Sequence, residues 1–477
     1  MNQQLIFAVL AATAACLSSE PAHAASTLDG TSMGWPWVLP FIGILLSIAT
    51  GPLLFPKIWH AHYGKIALGW GVLTLVPLAI FYGAPAALVV FVHTMLAEYM
   101  SFILLLSALY TVAGGILVTG SIHASPWNNA GVLALGTLIA SIVGTTGAAM
   151  ILIRPLIRAN EGRKQNAHVV VFFVILVANI GGALTPLGDP PLFIGFLHGI
   201  EFFWTAQHLW LQTMIVAAPV LAIFLGVDLW HFCNEAATRG TAPTEPLRLL
   251  SGRINFLLIG IIIAAILTSA VWKPGVVFSI HGTKIELQNL LRDGVLILVA
   301  LASLLLTPDE HRAANGFTWE PIREVAILFA GIFVAIIPVM AMLQAGPDGT
   351  FAFLLQAVTT RDGSAHEAAY FWLTGGLSAF LDNAPTYLVF FELAGGDARQ
   401  LMGPLAGTLA SISMGAVYMG ALTYIGNAPN FMVYAIAQER GIRMPNFFGY
   451  MLWAGIILVP LFALLTLLPI APLLKLG

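Results

Sequence analysis

The stretch GGALTPLGDPPLFIG, residues Gly181–Gly195, interrupts one of the most apolar regions of the chain with a carboxylate and three prolines. Pro186, Pro190 and Pro191 lack an amide hydrogen and clash with the preceding turn, so they predict a break in the helix. Within a bilayer, the freed backbone carbonyls must be buried in protein or face a water-filled cavity. Asp189 adds an ionisable group whose insertion costs about 2.5–3.5 kcal/mol, which marks it as a functional candidate. The stretch therefore predicts a broken helix that lines a site.

The whole chain has the composition of a membrane protein. Of its 477 residues, 59% are hydrophobic and 9% are charged, against about 25% charged in soluble domains. Several apolar runs reach the roughly 20 residues that cross a bilayer core. The predicted fold class is an all-α polytopic membrane protein with about 10–11 transmembrane helices and two re-entrant hairpins. We expect the lipid bilayer as its surroundings and no nucleic-acid partner.

The apolar segments divide the chain into two halves, residues 35–232 and 255–469, joined by a cytoplasmic linker at 233–254. Each half is predicted to contain one hairpin that enters the membrane partway and one broken helix. The hairpins are predicted at 131–158 and 367–395, and the broken helices at 168–200 and 403–437. The other crossings are predicted at 35–55, 66–83, 85–119, 208–232, 255–272, 289–306, 325–345 and 447–469.

An internal repeat relates the two halves. GALTPLGDPP (Gly182–Pro191) and GALTYIGNAP (Gly420–Pro429) match at six of ten positions, at an offset of 238 residues. The same offset carries GTTGA (Gly144–Ala148), the predicted tip of the first hairpin, onto DNAPT (Asp382–Thr386), the tip of the second. Two interruptions that recur at one spacing predict a duplication. Because the predicted topology orients the two copies oppositely, the pattern is typical of an inverted-repeat secondary transporter with its binding site near the midplane.

The termini and loop charges predict orientation and location. Residues 1–24 resemble a signal peptide, with an apolar core at Leu5–Leu17 and a small-residue cleavage site at Ala22–Ala24; the alternative is an uncleaved membrane anchor. A periplasmic mature N-terminus places 13 of the 19 Lys and Arg residues in cytoplasmic loops. This bias obeys the positive-inside rule. We therefore expect a multi-pass protein of the bacterial inner membrane.

The candidate site residues cluster at the predicted tips and breaks. Hard cations take oxygen ligands, which hydroxyl, amide, carboxylate and freed backbone oxygens supply. Asp189 and Asp382 are the leading candidates, because one buried carboxylate can carry either a proton or a cation. The alternative is that each caps a half-helix, and the two roles can coexist. The predicted substrate- and ion-binding residues are Thr145, Thr146, Thr185, Gly188, Asp189, Asp382, Asn383, Thr386, Thr423 and Asn427.

A second polar pair lies in VFVHTMLAEYMSF, within an apolar crossing. His93 and Glu98 are five residues apart, a spacing that does not bring side chains together on an α-helix as i,i+4 spacing does. One interpretation is a buried scaffold network or a position near a helix end, and the other is a proton relay. The chain contains no phosphate-binding loop, HExxH or GxSxG motif. We expect neither enzymatic activity nor a cofactor.

Four motifs carry a resemblance to a known family, and together they span most of the chain from about residue 35. The sequence resembles the ion transporter superfamily, most closely its NhaD-type sodium/proton antiporters and their citrate-transporter-like relatives. That resemblance implies Na+ and H+ as transported ions, Na+ bound by Asp189 and Asp382, and a homodimer. The motifs are NIGGALTPLGDPP (Asn179–Pro191), FLDNAPT (Phe380–Thr386), LTYIGNAPN (Leu422–Asn430) and HTMLAEYMSF (His93–Phe102).

Two functions remain open at this point. The first is a proton-coupled antiporter that exports Na+, or Li+, from the cytoplasm by alternating access. The second is a sodium- or proton-coupled transporter of citrate or a related carboxylate. Carboxylate transporters of the superfamily carry a Ser-Asn-Thr signature at both tips, whereas this chain has Gly-Thr-Thr-Gly and Asp-Asn-Ala-Pro-Thr. No Lys or Arg falls near the breaks in sequence, so the antiporter is favoured.

Overall fold

The computed structural model describes residues 28–118, 124–235 and 251–467. The predicted signal peptide and most of the predicted linker (residues 236–250) lie outside the described residues. The protein is an all-α polytopic membrane protein, as the composition predicts. Within the described ranges, its one sheet is a short antiparallel hairpin of β1 (Val277–Ile280) and β2 (Thr283–Glu286).

The helices are labelled in chain order. The helix Ala84–Gly114 contains a π-helical segment at Thr94–Tyr99. The first half contains α1 (Leu39–Leu54), α2 (Pro56–Tyr82), α3 (Ala84–Gly114), α4 (Pro126–Val143), α5 (Thr145–Asn160), α6 (Ala167–Leu176), α7 (Pro190–Leu197) and α8 (Trp204–Asn234). The second half contains α9 (Ile254–Val271), α10 (Leu287–Leu306), α11 (Asp309–Ala314), α12 (Glu320–Ala335), α13 (Ile337–Gln344), α14 (Ala352–Ala357), α15 (Glu367–Phe380), α16 (Asn383–Leu393), α17 (Ala398–Met402), α18 (Ala406–Met419), α19 (Ala428–Glu439) and α20 (Phe447–Leu467).

In the part of the chain that is described, eight helices are long and apolar enough to cross a membrane, and there are nine such spans if the pair α12–α13, bent by 41°, is counted as one. Helix α4 is one of the eight, although the sequence pattern assigns it to a hairpin. The segments Ala167–Gly182 and Ala406–Leu422 are apolar but shorter. The expected 10–11 crossings include these two broken segments, whereas the count of eight or nine long helices does not.

The two hairpins turn at different kinds of residue. Between α4 and α5 the chain turns at Gly144, whose φ of 82° is readily adopted only by glycine. Between α15 and α16 it turns through Leu381 and Asp382, both in extended conformations. The legs of each hairpin pack against each other. The first hairpin covers residues 126–160, so its first helical leg begins five residues before the expected start at 131. The second covers residues 367–393, so its last helical leg ends two residues before the expected end at 395.

The two broken helices have matching local geometry. Helix α6 ends at Leu176 and α7 begins at Pro190, while α18 ends at Met419 and α19 begins at Ala428. The residue before each second segment is extended, with φ −146° and ψ 144° at Asp189 and φ −154° and ψ 138° at Asn427. Prolines in the first turn of each segment fit this break, because their rings cannot continue a preceding helix.

Each break is joined to the hairpin of its own half by a threonine. The hydroxyl of Thr185 donates to the carbonyl of Ser141, and the hydroxyl of Thr423 donates to the carbonyl of Ala379. Both hydrogen bonds span 44 residues. Helix α7 also packs against α16, and α18 against both legs of the second hairpin. The two tips and the two breaks are thereby gathered in the middle of the fold.

Candidate functional site

Asp189 lies where the tips and breaks meet. Its side chain is buried, with 1% of the residue exposed. Its Oδ1 accepts hydrogen bonds from Thr145 Oγ1 at 3.0 Å and from Asn427 Nδ2 at 2.9 Å, and its Oδ2 accepts one from Asn383 Nδ2 at 2.5 Å. Thr145 begins α5, Asn383 begins α16, and Asn427 precedes α19. One carboxylate of the first break therefore contacts both hairpins and the second break.

The donors to Asp189 are all neutral. Among the residues that the structure describes, no ion pair within 4.0 Å involves this carboxylate. Burying an ionised carboxylate without a positive partner is costly even when it accepts several hydrogen bonds. An ionised Asp189 would therefore be more stable with a bound cation beside it, whereas a protonated Asp189 would need none.

A cavity of about 90 Å³ lies beside Asp189. This volume admits a few water-sized species. Its polar lining includes Thr145, Thr146, Asp382 and Asn427, and its other walls are mostly apolar. Over the described ranges, no group of three or more His, Cys, Asp or Glu side chains is placed to hold a metal ion. The cavity thus offers mainly hydroxyl, amide and carboxylate oxygens, the ligands of a hard cation.

Asp382 differs from Asp189 in its surroundings. It is half-buried, and its Oδ1 accepts a hydrogen bond from the backbone of Ala384 at 3.1 Å. This is an N-cap interaction, which satisfies a free amide at the start of α16. The same residue lines the cavity. Capping and a position at the cavity, which the sequence left as alternatives, occur together here.

The remaining predicted site residues fall into two groups. Thr146 lines the cavity, and so does Gly188, whose carbonyl accepts a 2.8 Å hydrogen bond from the amide of Thr145. By contrast, Thr185, Thr386 and Thr423 use their hydroxyls to donate to backbone carbonyls and do not line the cavity. The acceptor of Thr386 is the carbonyl of Asp382, in the first turn of its own helix, at 2.9 Å. These three hydroxyls stabilise the backbone conformation around the site.

The structure corrects the interpretation of His93 and Glu98. The segment Thr94–Tyr99 is a π-helix, in which hydrogen bonds join residues five apart. The five-residue spacing therefore brings the pair together, with His93 Nε2 at 3.9 Å from Glu98 Oε1. The side chains are 52% and 24% exposed, respectively. The expectation that they diverge was wrong because it assumed α-helical geometry; a relay role for them stays a prediction.

Two further polar groups lie outside the ten predicted substrate- and ion-binding residues, although the sequence already indicates Asn430 as a source of side-chain oxygen at the second break. Asn179 and Asn430 are fully buried and hydrogen-bonded to each other at 2.7 Å across the two breaks. Both stand in the motifs quoted above, so buried amides beside a break were the available signal. The second group, here termed the Asp228 cluster, lies away from the breaks; its signal in the sequence was Asp228, a carboxylate within the predicted crossing 208–232. It comprises Asn129, Asn160, Arg163, His168 and Asp228.

Comparisons with known proteins agree with this architecture. A family model described as "Putative citrate transport" matches residues 30–470. An uncharacterized transporter from Mycobacterium bovis and one from Mycobacterium tuberculosis are each 25% identical over 320 residues, covering 65% of this chain and 69% of theirs. A 46 kDa membrane protein from Mycobacterium leprae is 23% identical over 322 residues, covering 65% of this chain and 68% of its own. The chain belongs to the family that this model describes, and it is a membrane transporter.

Proposed function

We propose that this transporter is a proton-coupled antiporter that exports Na+, or Li+, from the cytoplasm. The observation that carries the proposal is Asp189, a buried carboxylate with three neutral donors and an adjoining cavity. Such a group is stable when protonated or when paired with a cation, and unstable when ionised and alone. Exchange of one cation for protons follows directly from that restriction.

The proposed cycle couples the ion to the conformational change. With the inverted repeats predicted above, the two halves would rock about the breaks and open the cavity alternately to each side. Crossing with Asp189 ionised and unpaired would bury a bare charge, so that state is disfavoured. Each crossing therefore requires a bound proton or a bound cation. In this proposal the protein lies in the inner membrane with its N-terminus in the periplasm, and a dimer is the expected assembly.

The second candidate, transport of citrate or a related carboxylate, is favoured by the description of the family. An anion would need hydrogen-bond donors, which helix N-termini often supply. Helix α7 is poorly suited to this, because Pro190 and Pro191 have no amide hydrogen. The next two amides, of Leu192 and Phe193, donate to the carbonyl of Asp189 at 3.1 and 3.4 Å. The start of α7 therefore has few donors left for an anion, which supports the cation.

One experiment separates the two candidates. Everted membrane vesicles that maintain a pH gradient would receive NaCl, LiCl, citrate or choline chloride in parallel. The antiporter predicts that Na+ or Li+ dissipates the gradient with saturation, while choline chloride has no effect beyond that seen in vesicles without the protein. Saturable citrate uptake with no response to Na+ or Li+ would reject the antiporter in favour of the second candidate.

A further inference from the structure

Three buried asparagines form a chain of hydrogen bonds that ends on Asp189. The amide of Asn430 donates through Nδ2 to the carbonyls of Gly420 and Thr423, both at 2.9 Å. Its Oδ1 accepts from Asn179 Nδ2 at 2.7 Å. Asn179 Oδ1 in turn accepts from Asn427 Nδ2 at 3.3 Å. All three asparagines are at most 1% exposed. We call Asn430, Asn179 and Asn427 the amide chain.

The backbone determines the direction of every amide in this chain. A carbonyl oxygen can only accept, so the side-chain atom facing it must be the NH2 group. Asn430 faces two carbonyls, Asn179 faces the carbonyl of Val174 at 2.8 Å, and Asn427 faces that of Ala178 at 3.1 Å. Rotating any one amide by 180° would set oxygen against oxygen. The orientations are therefore assigned by the hydrogen bonds rather than chosen freely.

This direction decides which atom Asn427 offers to the cavity. Its Nδ2 is occupied by Asp189 Oδ1, by Asn179 Oδ1 and by the backbone of Ala178. The Oδ1 lies on the opposite side of the planar amide, and within the described part of the chain it accepts no hydrogen bond. Asn427 also lines the cavity. The free polar atom of this amide is thus an oxygen, which suits a cation and repels a carboxylate.

We infer that Asn179 and Asn430 are positioning residues that hold the amide of Asn427 with its oxygen available to the cavity, and that they thereby set the selectivity of the site for a cation over an anion. The inference rests on the proposed function and adds its selectivity element. Neither residue is hydrogen-bonded to Asp189; Asn179 acts through Asn427, and Asn430 acts through Asn179. The amide chain also joins the two breaks, since Asn179 lies within the first break and Asn430 lies in the first turn of α19, just after the second.

The test replaces the two residues of the amide chain that are not hydrogen-bonded to Asp189. Asn179→Leu and Asn430→Leu replace the amides by apolar side chains with the same branching at Cγ, and Asn179→Ser is a smaller variant for the case that the first does not fold. We expect the apparent KM for Na+ to rise about tenfold, equivalent to about 1.4 kcal/mol, with Vmax per folded protein little changed. The double variant should resemble the single ones, because both act on one amide. The readouts are vesicle exchange and the Na+ concentration that half-maximally raises the unfolding temperature of the purified protein.

Asn315→Leu is the matched control. Asn315 is 2% exposed, and its amide also donates to two backbone carbonyls, those of Gly114 and Ile116, outside the amide chain. It should lower the yield of folded protein without moving either Na+ readout. An unchanged KM in both amide-chain variants, with activity falling only in proportion to folded protein, would overturn the inference and leave the antiporter intact. A wild-type protein that responds to citrate and to no cation would reject both.

Discussion

Two buried carboxylates in this protein have opposite surroundings. Asp228 is fully buried and accepts hydrogen bonds from Arg163 Nη1 at 2.5 Å, from Asn129 Nδ2 at 2.9 Å and from the ring of His168 at 2.9 Å. Asp189 is buried to the same degree and also has three donors, but all of them are neutral. A cavity adjoins Asp189. One carboxylate has a permanent counter-ion and the other does not.

The difference separates a structural charge from a functional one. The guanidinium of Arg163 is a fixed counter-ion beside Asp228, so this carboxylate does not need a mobile cation. Its cluster joins the outer ends of the first hairpin to α8, with Asn129 in the first leg and Asn160 at the end of the second. Under the proposed function, Asp189 takes its positive partner from solution. Burial alone therefore does not distinguish the two carboxylates; the adjoining cavity and the absence of a fixed counter-ion make Asp189 the candidate site.

The largest expected effect is at Asp189. The Asp189→Asn substitution keeps the volume but removes the charge, so cation-driven dissipation of the pH gradient should be abolished. The protein should still reach the membrane in near-normal amounts, because no ion pair is broken. Vesicle exchange and the amount of folded protein measure the two outcomes. Exchange that persists in this variant would remove Asp189 from the mechanism.

The second effect is on stability, at Asp228. The Asp228→Ala substitution removes one of the two carboxylates paired with Arg163, leaving Glu235 at 3.3 Å as the other. It also leaves the buried donors of Asn129 and His168 without their acceptor, which should cost about 1–3 kcal/mol of folding free energy. The surviving folded protein should keep its wild-type KM for Na+. Thermal unfolding and vesicle kinetics are the measurements. Replacing Arg163 and Asp228 together by apolar residues should cost less than the sum of the single changes. A changed KM in folded protein would contradict a purely structural role.

A third, smaller effect is expected at Thr145. The Thr145→Val substitution is nearly isosteric and removes the hydroxyl that donates to Asp189 at 3.0 Å. Hydrogen bonds to charged groups contribute about 1.5–3 kcal/mol, so the KM for Na+ should rise about tenfold or more. Kinetics in vesicles at matched protein levels test this. A KM equal to that of the wild type would show that the hydroxyl does not support the ionised carboxylate.

The smallest effect is expected at Thr386, the matched control for Thr145. Its hydroxyl donates to the carbonyl of Asp382 in its own helix and does not face the cavity. The Thr386→Val substitution should therefore leave the KM within about twofold, because the lost bond is local and between neutral groups. The same vesicle assay applies. An effect as large as that at Thr145 would restore Thr386 to the predicted ion ligands.

The breaks, the helical class and the candidate Asp189 followed from the sequence because their causes are local. Proline removes a hydrogen bond wherever it stands, an apolar run needs only its own length, and a carboxylate within such a run is visible by inspection. The internal repeat at an offset of 238 residues could likewise be recognised from the sequence alone. The spacing of His93 and Glu98 misled because one π-helical turn changes which residues face each other.

Only the tertiary structure decided which residues are hydrogen-bond or ion-pair partners. Asn383 and Asn427 stand 194 and 238 residues from Asp189, and Asn430 stands 251 residues from Asn179. No local pattern indicates which distant amide will donate to which oxygen, or that Thr185 and Thr423 will use their hydroxyls on the backbone. Asp228 is an acidic residue in an apolar helix, as Asp189 is in an apolar break, and only packing brings Arg163 to one and neutral amides to the other. Sequence determines where a charge is buried; the fold determines whether it is already neutralised.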